Sequence, residues 1–397
     1  MFKKMGPGVL VAAAFIGPGT VTACMLAGVG FGYSLLWAML LSVVATLVLQ
    51  EMSARLGVVT QKGLADTIKN ELSSPVLRNT VIGIILAAIV IGNAAYEGGN
   101  IGGATLGLEA LFGTEYTTSY PFIIGGMAFV LLYLGNYKFL EKVFVGLVLV
   151  MSLSFLVTAV ITKPNLGSVL KGLFVPSAPE ESILTIIALV GTTVVPYNLF
   201  LHASLVSEKW KSKDDLNLVR RDTWVAIMLG GLVSISIIIA AAAIPGGEVR
   251  NVMDMARGLE PLYGNAANYF IGIGLFAAGV TSAITAPLAA AYVVNSCFGW
   301  NAGLKDFRFK LVWMVILFLG VFFMSFGIQP IEIIKFAQIA NGLLLPVIAI
   351  FLLWVVNKAT VMGNYRNSFI QNAFGILIIC LSILLGVRSI LKVFGMF

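Results

Sequence analysis

The sequence predicts an all-α integral membrane protein of eleven spanning helices, built as a 5+5 inverted repeat with one further helix appended. Three observations lead there. Hydrophobic residues make up 59% of the 397-residue chain and charged residues only 11%, less than half the usual share of a soluble domain. The apolar residues fall in runs of about 20, the length a helix needs to cross a bilayer. Two of those runs are interrupted by Gly and Pro at matching places.

This composition, with a mean hydropathy of +0.98, excludes a soluble enzyme, a disordered protein and a secreted disulfide scaffold. Cys24, Cys297 and Cys380 all lie in apolar runs, without metal-ligand spacing and without a disulfide framework. His202 is the single histidine, so a multi-histidine metal site is ruled out. The formal net charge of +7 comes from short loops between apolar runs rather than from a basic stripe, which argues for membrane orientation and against nucleic acid.

The spans fall at about 7–28, 33–57, 80–110, 120–137, 139–162, 183–206, 222–245, 266–298, 309–327, 333–356 and 368–391. Met1 to Ala14, with Lys3 and Lys4, has signal-peptide character, but no small-residue cleavage site followed by a soluble domain comes after it; it reads as the first span. The loops are short, so residues 1–397 form one transmembrane unit. Repeat one covers about 7–162, repeat two about 183–356, and the extra helix about 368–391. With the N-terminus in the cytoplasm, 18 of the 25 Lys and Arg residues lie on the inner side. That bias supports a cytoplasmic N-terminus and, with an odd number of spans, a C-terminus outside; the expected location is a plasma (inner) membrane.

Span 1 contains Gly17-Pro18-Gly19-Thr20, and span 6 contains Gly191-Thr192-Thr193-Val194-Val195-Pro196-Tyr197-Asn198. Proline removes a backbone donor and clashes with the preceding turn; glycine permits angles a helix does not use. Exposed backbone deep in a bilayer is costly unless it lines a cavity or binds something. Interrupted helices at corresponding points of two repeats mark the central site of a secondary transporter. The bland reading is a pair of proline kinks supported by neighbouring helices.

Other polar residues stand out against the apolar background. Glu97 lies inside span 3, where a carboxyl group serves either as a proton or cation relay or as a structural hydrogen-bond partner. His202 lies six residues beyond Pro196, with an intrinsic pKa suited to proton exchange; packing against a backbone carbonyl is the alternative. Tyr197 either contacts substrate or packs in the core. Gln338 and Asn341, three apart in span 10, share one helix face and suggest a polar lining. Thr281, Ser282 and Thr285 read as helix–helix glue, and Lys335 as a snorkelling side chain. Glu51 and Arg55 sit one turn apart and suggest an inner gate or interfacial salt bridge. The run Lys209 to Arg221 reads as a solvated loop. No catalytic constellation and no Walker loop occurs, so the chain is expected to be neither an enzyme nor ATP-driven and to need no cofactor.

At these residues the sequence resembles the natural resistance-associated macrophage protein (Nramp) family of divalent-metal transporters. The run Leu49-Gln50-Glu51-Met52-Ser53-Ala54-Arg55-Leu56-Gly57 is similar to that family's second helix. Val195-Pro196-Tyr197-Asn198-Leu199-Phe200-Leu201-His202 resembles its Met-Pro-His signature with a second histidine five residues on, and the span 8 run from Ala278 to Thr285 and Gln338 also fit. The resemblance covers essentially the whole chain. It implies a LeuT-type fold, alternating access, and proton-coupled import of manganese or iron.

Departures fall at the centre. The family's Asp-Pro-Gly-Asn is here Gly17-Pro18-Gly19-Thr20, its metal-binding Met is Val195, its adjacent His is Tyr197, and of its acidic pair on helix 3 only Glu97 remains, with Ala94 at the other place. The candidate substrate-binding residues are therefore Gly17, Thr20, Thr192, Val195, Tyr197, Gln338 and Asn341, and the candidates for ion coupling are Glu97 and His202. Metal-ligating side chains are largely absent from the family positions Gly17, Thr20, Thr192 and Val195. The donors left are Thr20, Thr192 or Thr193, backbone carbonyls and Gln338, all neutral, and a bare double charge buried among them costs several kcal/mol or more (about that much for one ion). A half-helix starting near Gly19 also presents free N–H groups that favour an anion or a small polar organic solute. Three expectations therefore stand: a divalent-metal transporter, a transporter of an anion or small polar solute, and a sensor that binds without transporting. The expected partners are the transported ion or solute, the lipid bilayer and protons as coupling ion, with no nucleic acid and no obligate protein partner.

Overall fold

The computed structural model describes residues 16–135, 138–244, 249–300 and 303–393. Every regular element among them is helical. The first half of span 1, with Lys3 and Lys4, lies outside the described residues. In chain order the helices are α1 (Pro18–Phe31), α2 (Leu36–Thr60), α3 (Leu64–Glu71), α4 (Pro75–Phe112), α5 (Tyr120–Leu134), α6 (Lys138–Ile161), α7 (Leu166–Phe174), α8 (Ile183–Thr193), α9 (Pro196–Lys209), α10 (Leu216–Ala242), α11 (Val252–Ala256), α12 (Glu260–Tyr263), α13 (Ala267–Phe298), α14 (Phe307–Met324), α15 (Pro330–Val356), α16 (Ala359–Met362) and α17 (Phe369–Val393). Among the described residues eight helical segments are long and apolar enough to cross a membrane, and Pro18–Phe31, Tyr120–Leu134 and Val145–Ile161 are shorter apolar helices. Together they occupy the eleven expected spans.

Helix boundaries follow local chemistry. Proline stands in the first turn of α1, α4, α5, α9 and α15, where its missing N–H costs nothing. Ser74 caps α4 and Asn165 caps α7 by accepting from backbone N–H groups. The loops are less bare than the sequence suggests: α3 is amphipathic, and α7, α11 and α12 fill the connections after spans 5 and 7. One expectation is corrected here. The basic run from Lys209 to Arg221 is not all loop, because α10 begins at Leu216 and carries Arg220 and Arg221 on its first turns.

The long helix α4 is the axis of the bundle. Its glycines permit close approach: Gly98, Gly99, Gly102 and Gly103 lie against Ile333, Ala337, Met324 and Pro18, and Gly107 meets the backbone of α13 at Gly272 and Phe276. Gly279 of α13 in turn meets Asn100 and Ala104. These glycines serve as close helix-packing positions. Gly28 of α1 sits on Ile238 and Ala241 of α10, and Gly231 of α10 sits on Val43 of α2. The outward faces of α5, α6, α14 and α17 expose large apolar side chains such as Phe122, Leu153, Phe318 and Leu384, as helices facing lipid do.

Candidate functional site

The centre is built where two helices stop. Gly17, in extended conformation, precedes α1, which begins at Pro18. Helix α8 ends at Thr193; Val194 and Val195 leave helical geometry, and α9 begins at Pro196. The last carbonyls of α8 therefore lack intrahelical donors, and Pro196 has no N–H to offer them. Thr20 Oγ1 lies 2.8 Å from Thr192 Oγ1, a buried hydrogen bond that joins the two breaks. Thr193 turns away: its hydroxyl donates to the Leu189 carbonyl at 2.8 Å and approaches the Met39 sulfur at 3.7 Å. Of the two threonines the sequence left open, Thr192 is the one that meets Thr20.

Helix α15 closes a third side. The Gln338 side chain lies on Gly19 so tightly that any Cβ there would overlap it, and Gly191 lies on the Gln338 backbone in the same way. Asn341, on the same face, comes beside Gly92 of α4. Gln338 Oε1 and Asn341 Nδ2 are buried with no hydrogen-bond partner. Val195 is fully buried and contributes only an apolar side chain. Tyr197 is buried with its ring edge-on to Tyr96 of α4, centroids 5.5 Å apart.

Glu97 is placed differently. Its side chain packs against Gly320 of α14, and its Oε2 accepts from Asn100 Nδ2 at 3.2 Å, while Oε1 is unbonded. It thus occupies the α4–α14 seam and not the break pair. His202 lies on α9, where its Nδ1 is 2.8 Å from Gln50 Oε1 of α2. Its Nε2 and Gln50 Nε2 have no partner. Buried polar atoms normally find partners, so unbonded ones mark where water or a ligand belongs. Thr22, Gln50 and Asn198 join this set without having been singled out from the sequence. The available signal was an uncharged amide or hydroxyl inside an expected span.

Other expectations are settled locally. The Thr281 and Thr285 hydroxyls donate to carbonyls of their own helix at 2.7 and 2.8 Å. Lys335 pairs with Glu332 at 3.0 Å. Glu51 and Arg55 do form a salt bridge, and Arg220 joins it at 2.8 Å.

Among the described residues no group of three His, Cys, Asp or Glu side chains gathers to hold a metal ion. Thr20 and Thr192 are fully buried and Gln338 is 2% exposed. A cavity of about 50 Å³, lined by Thr22, Leu26, Thr185, Ala188, Lys335 and Gln338, approaches the centre between α1, α8 and α15.

The sequence model of the natural resistance-associated macrophage protein-like family matches residues 8–392. The chain belongs to the Nramp family. It is 30% identical to a divalent metal cation transporter MntH of Verminephrobacter eiseniae, over 98% of this chain and 89% of that protein. It is 29% identical to a Klebsiella pneumoniae MntH, over 92% and 88%. An Eremococcus coleocola manganese transporter superposes with a TM-score of 0.78 at 21% identity, covering 98% of this chain and 86% of that one. Mhp1, a nucleobase-cation-symport-1 family transporter, gives 0.62 at 17% identity over 99% and 94%. MhsT in complex with L-phenylalanine gives 0.61 at 15% identity over 96% and 98%. These likenesses establish the LeuT-type fold that the family resemblance implied.

Proposed function

We propose that this Nramp-family chain is a secondary transporter working by alternating access, with its cargo held between the breaks of α1 and α8–α9. The observation that carries the reading is the buried Thr20–Thr192 contact, 2.8 Å across the two interruptions. A site made of helix ends and short hydroxyls can exchange partners when two repeats, about 7–162 and 183–356, rock against each other. The relatives named as divalent metal cation transporters support such an ion as cargo, with Glu97 and His202 handling coupled protons. The chain then sits in the plasma membrane with its N-terminus in the cytoplasm and its C-terminus outside.

One observation favours a second reading. Thr20, Thr192, Gln338 and Asn341 are neutral, and Gly17 and Val195 bring no ligating side-chain atom. An ion with two charges would enter without a carboxylate beside it, whereas an anion or small polar solute would find hydroxyl and amide partners. Calorimetric titration of manganese and magnesium into the purified protein separates the readings. Beside it runs the variant Gly17→Asp, Thr20→Asn, Val195→Met. Binding by the natural protein upholds the metal reading. Binding by the variant alone removes it and directs the search to anions and organic solutes. Binding without flux in proteoliposomes makes the chain a sensor.

A further inference from the structure

At the basic end of the bundle, the connection from α15 to α17 (residues 357–368, including α16) runs across the ends of α2, α3 and the α9–α10 loop as a strap. Arg55 of α2 is 1% exposed, one of the largest fully buried side chains. Its Nε and Nη2 hold the Glu51 carboxylate at 3.0 and 3.1 Å. Its remaining donors reach the strap: Nη2 donates to Asn367 Oδ1 at 2.6 Å, and Nη1 to the Tyr365 carbonyl. Arg220 of α10 donates to Glu51 at 2.8 Å. The strap has further ties. Thr360 donates to Glu71 of α3 at 2.8 Å, and Lys213 lies 5.9 Å from the centre of the Tyr365 ring. Asn372 of α17 accepts from Asn357 and Asn367 at 2.8 and 2.9 Å.

We infer that Arg55 is a gating residue, latching the strap over this end of the bundle through Asn367 and Tyr365; the inference rests on the alternating-access reading above. The bonds divide into two groups. Glu51–Arg55 lies within one helix, and Arg220–Glu51 joins two helices packed along each other at Gly231 and Val43. Both survive if α2 and α10 move together. The bonds from Arg55 to the strap do not. Opening therefore exposes the free half of the guanidinium to water while its carboxylate stays bound, so no charge is stranded. Arginine suits this position because its planar fork serves two partners at once; a lysine ammonium has no such fork.

The test measures distance rather than transport. Spin labels are placed at the exposed positions Lys62→Cys and Asn364→Cys in a chain carrying Cys380→Ser, since Cys380 is exposed whereas Cys24 and Cys297 are buried. Pulsed electron resonance on the reconstituted protein then reads the separation of strap and α2–α3 turn. The parent should show one dominant distance, with any longer one at or below about 10%. Asn367→Ala and Arg55→Lys should each make the longer distance the larger population, and Arg220→Gln should leave the parent distribution. An unchanged distribution in both test variants overturns the latch, and so does equal widening in Arg220→Gln, which would mean general loosening of this end. Widening confined to the latch variants, in a protein that shows no flux with any cargo tried, upholds the latch and removes the transport reading instead.

Discussion

Thr20 and Thr192 meet at 2.8 Å although 172 positions separate them, and each stands at the broken end of a different helix. Neither hydroxyl reaches solvent. The pair is a direct hydrogen bond between the two breaks, so its behaviour under substitution is diagnostic.

Thr20→Val leaves the buried Thr192 hydroxyl without its Thr20 partner, at a cost of about 1–3 kcal/mol. Adding Thr192→Val removes that hydroxyl too and should recover most of the loss. Thermal unfolding in detergent should show Thr20→Val alone to be more damaging than the double variant. Uptake should stay low in both, because the cargo loses its hydroxyl contacts whether or not the fold recovers.

Gly19→Ala and Gly191→Ala should be poorly tolerated for different reasons. At Gly19 the added carbon meets the Gln338 side chain, which can shift; at Gly191 it meets the backbone of Gln338 and Gly342, which cannot. Overpacking of this kind costs about 1–3 kcal/mol, and Gly191→Ala should sit at or above the upper end. Gly126→Ala, with open space around it, should be neutral in the same melting assay.

Glu51→Gln should be far more harmful than Arg220→Gln. Loss of the Glu51 charge leaves the buried Arg55 uncompensated, a change worth about 3–5 kcal/mol. The Arg220 side chain is 40% exposed, so its loss should cost about 1 kcal/mol or less. Yield and unfolding temperature of the two purified variants make the comparison.

Glu97→Gln keeps an oxygen to accept from Asn100 and keeps the shape that packs on Gly320, so stability should change by less than about 1 kcal/mol. If Glu97 relays protons, cargo-driven acidification followed with a pH-sensitive dye inside proteoliposomes should fall at least about tenfold, since glutamine cannot titrate. Unchanged acidification would make the residue a packing element of the α4–α14 seam.

Much of the fold is legible in the sequence alone. Spans are read one at a time, because each must satisfy its own backbone hydrogen bonds and present its own apolar length to lipid. The breaks at Pro18 and Pro196 were legible for the same reason: proline and glycine act on the chain where they stand. The Glu51–Arg55 pair needs only helical spacing. Which way a side chain faces is another matter. Several central helices are buried nearly all round, so their polar residues carry no amphipathic stripe to betray a direction. Only packing between distant segments turned Thr192 toward Thr20 and Thr193 toward Met39, set Glu97 against Gly320, paired His202 with Gln50, and brought Arg220 from an expected loop onto Glu51. The sequence by itself determined how many helices cross and where two of them break, since those are local properties of chain and solvent. Rotation and partnership were decided by the tertiary structure, because they depend on close contacts, many at glycine, between helices far apart in the chain.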